Sequence, residues 1–422
     1  MAKLDDLPQE LKEHILRSAP DVATLKCLAH SSPLFLGAYY GRREHIFATV
    51  IATEMTPEIL YEAQYVAQAS VIERGDSWIS DVKQLLGEYD KGIGESFPFD
   101  ITSTELVYVS KFLPALHDIS LAFFQSTLSH HPLTGEEVHL SSPTRAEMCK
   151  IQRSILRMEM FSLLFSDMED RPFYRPNWGS PCEELGRLFF SRFELWEVEE
   201  IMCMRDFFYR QYDMILRDCS VELRKLFVRQ AYRDKSPRDS MEKAAGRTKP
   251  KTYSQYREMT ERFLSFGFEF LSEVMNEDSE HHKVLLLEEV AEHGVFHAPQ
   301  NFLSDTLEVF FYIQDMRTMQ GPGFRETLLE PRHAGKEGPN GAWSWSVQQW
   351  NFAFDAGSYV SYCDKRDYLR SWGYVMWDCS RLDSLKVMSC EARDMQPHGP
   401  KAMQGILLSD RPKRKLEVLV SR

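Results

Sequence analysis

Two histidines four residues apart, His293 and His297, have the spacing of a metal-binding pair. On an α-helix this spacing places both imidazoles on one face, where they could ligate Zn²⁺. Gly294 lies between them and Pro299 follows, and both residues disfavour a regular helix there. The neighbouring Val295 and Phe296 favour packing. We therefore expect a surface or core-edge pair rather than a metal site.

Motifs for nucleotide binding and hydrolysis are missing from the sequence. Gly335-Lys336 is followed by an acidic residue and lacks the upstream glycine of a P-loop. Gly92-Ile93-Gly94 stops short of the dinucleotide fingerprint because position 97 is Phe. Neither H-E-x-x-H nor G-x-S-x-G occurs. We therefore expect no catalytic residues and no cofactor, in a protein that is not an enzyme.

The charge balance and the cysteines exclude further classes. The chain has 63 acidic and 50 basic residues, and its net charge of −13 argues against a general nucleic-acid binder, which neutralises phosphates with Lys and Arg. No two of the 8 cysteines form a C-x-x-C pair, which excludes zinc ribbons and thioredoxin-type redox motifs. Nothing in this composition identifies a small-molecule substrate.

Targeting signals are also missing from the sequence. The first residues become acidic where a signal peptide would need an apolar run, and none of the asparagines lies in a glycosylation sequon. No stretch of eighteen apolar residues occurs, so we expect no membrane-spanning helix and no membrane partner. These features predict a cytoplasmic or nuclear protein.

Apolar residues recur at helical spacing through most of the chain, which predicts an all-α fold. Thr144 and Glu147 form a capping-box start for one long helix. Pro114 is expected to kink or split the helix that contains it. The other long helical patterns cover residues 104–128, 183–233, 254–275 and 282–292.

Five tryptophans in the last hundred residues have two possible roles. Trp343 and Trp345 alternate as in a strand, and Trp350 would follow on a helix. With Trp372 and Trp377 they could line a recognition surface, since aromatic residues dominate binding hot spots. Packing in the core is the commoner fate of tryptophan. Both interpretations remain open at this stage.

Segments with little apolar character divide the chain. Residues 233–251 are rich in Lys, Arg and Ser and include Ser236-Pro237, a candidate phosphorylation site. Residues 321–341 are dense in Gly and Pro. The basic run 411–415 could be a nuclear import signal or part of a solvated tail. We predict a module at 4–50, a large irregular helical domain at 56–390 and a disordered basic tail at 391–422.

The first fifty residues contain three short helical patterns, each with its own start signal. Leu7-Pro8 opens the first, and Pro8 suits the first helical position because its missing N–H would be unpaired there. Asp21 is placed to cap the second, and Ser32-Pro33 starts the third with a cap followed by proline. So small a unit cannot bury enough surface to be stable alone. It must pack on the body of the protein, on a partner, or on both.

This small N-terminal unit resembles an F-box. The resemblance is carried by Leu7-Pro8-Gln9-Glu10-Leu11, Ile15-Leu16, Pro20-Asp21 with Leu25 and Leu28, and Ser31-Ser32-Pro33. It implies a three-helix module that docks on the Skp-type adaptor of an SCF-type cullin–RING ubiquitin ligase, while the rest of the chain recruits a protein substrate. Through residues 191–196 and 372–378 the remainder is similar to F-box-like proteins of filamentous fungi, which implies no activity.

The resemblance implies a non-enzymatic adaptor that tethers a target for ubiquitination. Its partners would be the Skp-type adaptor and an unidentified protein substrate. In the alternative, it is a structural or interaction protein of helical fold whose F-box-like hairpin only packs on its own body. The residues expected to bind the adaptor through apolar burial are Leu7, Pro8, Leu11, Ile15, Leu16, Leu25 and Leu28.

Overall fold

The computed structural model describes residues 6–92, 101–127, most of 131–166, 181–222, 252–276, 338–348 and 369–389, together with short pieces between 284 and 331. In this part of the chain 81% of the residues are helical and no strand occurs. The predicted all-α fold is therefore confirmed.

The chain divides into two compact units, Met1–His117 and Asp118–Arg422. The division falls inside a long helix, α7, so the predicted boundary near residue 50 stays a prediction. The helices of the first unit, with α7 as the last, are α1 (Gln9–Arg17), α2 (Val22–Ala29), α3 (Pro33–Gly41), α4 (Arg43–Glu54), α5 (Pro57–Ala69), α6 (Trp78–Gly92) and α7 (Ser103–Thr127).

The second unit begins with the end of α7 and is built around two long helices. Its α-helices are α8 (Arg145–Phe165), α9 (Pro181–Phe189), α10 (Leu195–Asp218), α11 (Thr252–Ser265), α12 (Gly267–Asn276), α13 (Gly341–Gln348) and α14 (Cys379–Ser384). The unit also contains three short 3-10 turns, Phe190–Arg192, Tyr374–Met376 and Val387–Ser389.

The start signals of α2 and α3 act as predicted. The Asp21 carboxylate accepts a hydrogen bond from the backbone N–H of Thr24 at 2.6 Å. The Ser32 hydroxyl accepts one from Phe35 at 3.3 Å, and Pro33 takes the first helical position. The prediction for α1 is wrong by one residue. Pro8 is the N-cap, with extended ψ of 153°, because its carbonyl accepts the first helical hydrogen bonds.

A small hydrophobic core lies within residues 16–50. It is formed by Leu16, Ala19, Leu25, Ala29, Phe35, Ala38, Ile46 and Val50, with Ile15, Val22, Leu28, Tyr39 and Phe47 packed against it. The last two core residues come from α4. The prediction of a three-helix module is therefore not confirmed, because four helices share this core.

Long helical patterns in the second unit are interrupted by local backbone geometry. The pattern beginning at residue 183 breaks between α9 and α10, where Phe193 is extended and Glu194 forms a capping box with Glu197. The pattern beginning at residue 254 breaks at Gly267, whose φ is +83°. The predicted capping box of α8 is confirmed, since Thr144 and Glu147 exchange hydrogen bonds of 2.9 and 3.1 Å.

Helix α7 continues through Pro114, so the expected split does not occur. The helix contains the one window in the described part of the chain that is marginally long and apolar enough to cross a membrane. Half of that window is buried inside the protein. Burial of this kind is typical of a core helix in a soluble protein.

The tryptophans that the structure describes belong to the core. Trp343 and Trp345 lie on α13, so their predicted strand is wrong; Asn340 accepts a hydrogen bond from the Trp343 backbone N–H at 2.8 Å and starts a helix. Both are buried, as are Trp372 and Trp377. Core packing is therefore confirmed for these four.

Several predictions fall outside the described residues. They concern Trp350, the pair His293 and His297, the segment 233–251 and the basic tail 391–422. The helical pattern 282–292 and the Gly- and Pro-rich segment 321–341 lie mostly outside them as well.

Candidate protein-docking surface

The seven residues predicted to bind an adaptor divide into three groups by exposure. Pro8 and Leu11 are exposed. Leu7, Ile15 and Leu28 are partly buried, and the last two pack against the core of residues 16–50. Leu16 and Leu25 are only 0% and 2% exposed. Leu16 therefore supports the module from inside. Leu25 does so as well, and it reaches the surface only at the wall of the shallow groove described below. The accessible candidate docking residues are the other five.

Helix α1 exposes an apolar residue and buries its charged neighbours. Leu11 is 48% exposed, whereas Lys12 and Glu13 are 7% and 6% exposed. The Glu13 carboxylate pairs with Arg42 at 3.3 Å and accepts a hydrogen bond from Gln9 at 3.1 Å. These partners reduce the cost of burying the charge. The inward positions of the helix are thus occupied, and Leu11 faces outward.

Helix α3 adds exposed apolar surface that the sequence interpretation missed. Leu34 is 52% and Tyr40 64% exposed, while Phe35 and Ala38 enter the core. The signal was present in the sequence, because all nine residues of Pro33–Gly41 are uncharged. A helix packed on one side can bury only one face, so an all-apolar helix must leave apolar side chains outside.

A shallow groove of about 180 Å³ lies between α2, α3 and α4. It is too small for a cofactor, since ligand pockets usually enclose about 300–1,000 Å³. Its size fits a single side chain of a partner. The lining residues are Val22, Leu25, Lys26, Ala29, His30, Leu36, Tyr39, Tyr40 and Phe47.

A second cluster that could carry chemistry lies in the second unit, where α10 buries several charged side chains. Arg370 donates two hydrogen bonds to Glu199, at 2.9 and 3.1 Å, and Tyr374 donates a third at 3.2 Å. Arg157 pairs with Glu197 at 3.2 Å. Each of these carboxylates faces a guanidinium, as in structural ion pairs.

The Glu147 carboxylate links α8 to the segment that leads into α14. It accepts two hydrogen bonds of 2.6 Å from Arg381 and one of 3.1 Å from the Asp378 backbone. Burial acts to raise the pKa of Glu147, but these hydrogen bonds and the one from Thr144 lower it below the ordinary value. A carboxylate held ionised in this way joins two elements and is unsuited to general acid catalysis.

The described residues contain no group of three or more His, Cys, Asp or Glu side chains that could hold a metal ion. In residues 191–196 and 372–378 the large aromatic side chains Phe193, Trp196, Trp372 and Trp377 are buried. The exposed apolar residues of α1 and α3 are therefore the best candidate for a functional surface.

Comparisons of this chain with protein-family models, with curated proteins and with solved structures find no match.

Proposed function

We propose that this protein is a substrate-recognition adaptor of an SCF-type cullin–RING ubiquitin ligase. The observation that carries the proposal is the exposed Leu11 on a helix that buries Lys12 and Glu13. A singly exposed leucine is ordinary on a protein surface, so the informative part is the burial of two charged neighbours on the same helix, the reverse of the arrangement that water favours. A partner that covers Leu11 would remove this unfavourable exposure.

Three of the other four accessible residues lie around Leu11 in the sequence, in the order expected of an F-box. Leu7 and Pro8 precede it at the start of α1, and Ile15 follows one turn later. Complete burial of a large apolar side chain contributes roughly 1.5–3 kcal/mol. Loss of two anchors at about 2 kcal/mol each would weaken binding near a thousandfold.

In this proposal the protein catalyses no reaction. The helices of the first fifty residues bind the Skp-type adaptor, and the rest of the chain binds a protein substrate in the cytoplasm or the nucleus. Tethering raises the effective concentration of a substrate lysine near the ligase and orients it for transfer. Neither a cofactor nor a nucleic acid takes part.

The test is direct binding of the purified full-length protein to a purified Skp-type adaptor, measured by calorimetry. Leu7→Ala combined with Leu11→Ala should weaken binding by about a thousandfold if each anchor contributes near 2 kcal/mol. The matched control is Val71→Ala, since Val71 is 70% exposed but lies outside the module. This control should bind as the parent protein does, and all variants should keep their helical circular dichroism.

The alternative function is that of a helical interaction protein whose N-terminal hairpin only seals its own fold. The burial of Leu16 and Leu25 favours this view for part of the apolar strip, as we call the seven residues predicted to bind the adaptor. It predicts no binding to the Skp-type adaptor and a lower melting temperature for the double variant. Binding that is equally strong in the parent and the double variant would also exclude the strip as the docking site.

A further inference from the structure

A buried carboxylate lies where α12 begins. Glu159 of α8 is 7% exposed, and its Oε2 atom accepts a hydrogen bond from the backbone N–H of Phe268 at 2.9 Å. Phe268 is the second residue of α12, so the carboxylate occupies the N-terminal end of that helix. The position suits an acceptor, because the first N–H groups of a helix have no partner within it.

The backbone at this point is shaped to admit the carboxylate. Gly267 has φ of +83°, a conformation that glycine adopts without steric cost. A Cβ atom at Gly267 would lie far closer to the Glu159 carboxylate than van der Waals contact allows. Helix α12 thus packs directly on the carboxyl group, and there is no room for a larger residue between them.

The surroundings of this carboxylate oppose a negative charge. Burial disfavours the ionised form, and Glu269 on α12 has the same charge. Burial also raises the pKa of the Tyr212 phenol on α10, and the nearby Glu159 charge raises it further. Within the described part of the chain, the Tyr212 hydroxyl has no hydrogen-bond partner, and its ring stacks on Phe263 of α11 at 5.4 Å. No basic side chain in the described residues forms an ion pair with Glu159.

The other charged groups on the packed elements are engaged elsewhere. Arg157 of α8 pairs with Glu197 at 3.2 Å, and Tyr374 of the 3-10 turn donates to Glu199 at 3.2 Å. Among the described side chains of α11 the titratable ones are Glu261, which is buried, and Arg262, whose guanidinium lies 5.6 Å from the centre of the Phe266 ring. The carboxylate at α12 therefore depends on the Phe268 N–H for its stabilisation.

We propose that Glu159 is a pH-responsive latch, which holds α12 against α8 when it is protonated and loosens that contact when it is ionised. A neutral carboxyl group can stay buried beside the Phe268 N–H, whereas a carboxylate must recover hydration or a counter-charge. Opening the start of α12 supplies the hydration. The latch concerns the second unit alone and does not depend on docking of an adaptor.

The pH range of the latch follows from the same environment. Burial raises the pKa of Glu159 from 4.5 to about 7, against the lowering effect of the Phe268 hydrogen bond and with a further rise from Glu269. In the open state the carboxyl group is hydrated and has its ordinary pKa. The open state therefore loses its proton first, and closure weakens as the pH rises towards 7. Between about pH 6 and pH 8 the opening equilibrium should shift about tenfold towards the open state.

Hydrogen exchange of the full chain, followed by mass spectrometry and corrected for intrinsic exchange rates, tests the latch. In the parent protein the protection of amides in residues 267–276 should fall about tenfold from pH 6 to pH 8. Glu159→Gln keeps an acceptor for Phe268 but cannot ionise, so its protection should not vary with pH. Glu269→Gln is the matched control, because Glu269 is exposed on the same helix, and it should keep most of the pH dependence.

Two results would overturn the proposal. One is a parent protein whose α12 protection is the same at both pH values, and the other is a Glu159→Gln variant that loses protection with pH as the parent does. If Glu159→Gln fails to fold, the proposal is tested by the hydrogen exchange of the parent protein alone. Its pH-dependent loss must then appear in α12 and not in the amides of α5 and α6, which belong to the first unit.

Discussion

Helix α1 of the first unit and helix α10 of the second both bury charged side chains, but they treat their apolar residues differently. Helix α10 buries Glu199 and Glu197 together with nearly every large apolar residue that it carries. Helix α1 buries Lys12 and Glu13 and leaves Leu11 outside. The first arrangement is that of an internal scaffold, and the second leaves apolar surface exposed, which the proposed docking would cover.

The difference teaches that buried charge by itself does not identify a functional site. In the second unit the guanidinium of Arg370 and the hydroxyl of Tyr374 both reach Glu199, so the charge is compensated internally. Compensated pairs of this kind hold elements together once they have formed. The uncompensated feature in the first unit is apolar and lies at the surface, where only binding can remove it from water.

The largest effect should come from breaking the buried pair of the second unit. Arg370→Met leaves Glu199 as a charge that is 0% exposed and has lost its guanidinium partner. Removal of one member of a buried pair costs about 3–5 kcal/mol of unfolding free energy. Urea denaturation followed by tryptophan fluorescence measures this loss. A variant as stable as the parent would show that other groups compensate the Glu199 charge. The contrast drawn between the charge compensation of α10 and the apolar exposure of α1 would then no longer depend on Arg370.

The sequence predicts a feature of these helices well when the interacting residues are close together in the chain, and poorly when they are far apart. Asp21 and Ser32 act on backbone groups three residues away, so the sequence alone predicts the starts of α2 and α3. Whether Leu11 or Leu16 is buried depends instead on which face of α1 packs against the other helices. The spacing of the leucines along the sequence does not predict that face.

The same limit explains the incorrect strand at Trp343 and Trp345. Alternation of apolar and polar residues predicts a strand because one face of a strand is buried and the other exposed. Helix α13 is buried on most of its sides, so apolar residues at alternate positions also fit a helix there. The break at Gly267 was also missed, since the need for glycine arises from the Glu159 carboxylate, 108 positions earlier in the chain. The buried ion pairs escape sequence analysis for this reason too: Arg370 and Glu199 are 171 residues apart.

A matched pair of substitutions on α1 separates the scaffold function from the docking function. Leu16→Ala removes a side chain that is 0% exposed and should lower the unfolding free energy by about 2–5 kcal/mol. Leu11→Ala makes the same chemical change at a position 48% exposed, and the stability should change by less than about 0.5 kcal/mol. Thermal unfolding monitored by circular dichroism measures both variants. If Leu11→Ala destabilised the protein as much as Leu16→Ala, the strip would be a structural element.

A small effect is also expected from the ion pair of the first unit. Arg42 is 3.3 Å from Glu13, but its side chain is 64% exposed, so water screens the interaction. In the variant, Gln9 still donates a hydrogen bond to the buried Glu13 carboxylate. Arg42→Met should therefore change the unfolding free energy by less than about 1 kcal/mol, well below the effect of Arg370→Met in the same urea titration. A loss of 3 kcal/mol or more would mean that Glu13 depends on Arg42 as strongly as Glu199 depends on Arg370, roughly the penalty of a buried pair. In that case the buried charge of α1 would be compensated as strongly as that of α10, and the contrast between the two helices would rest on the exposure of Leu11.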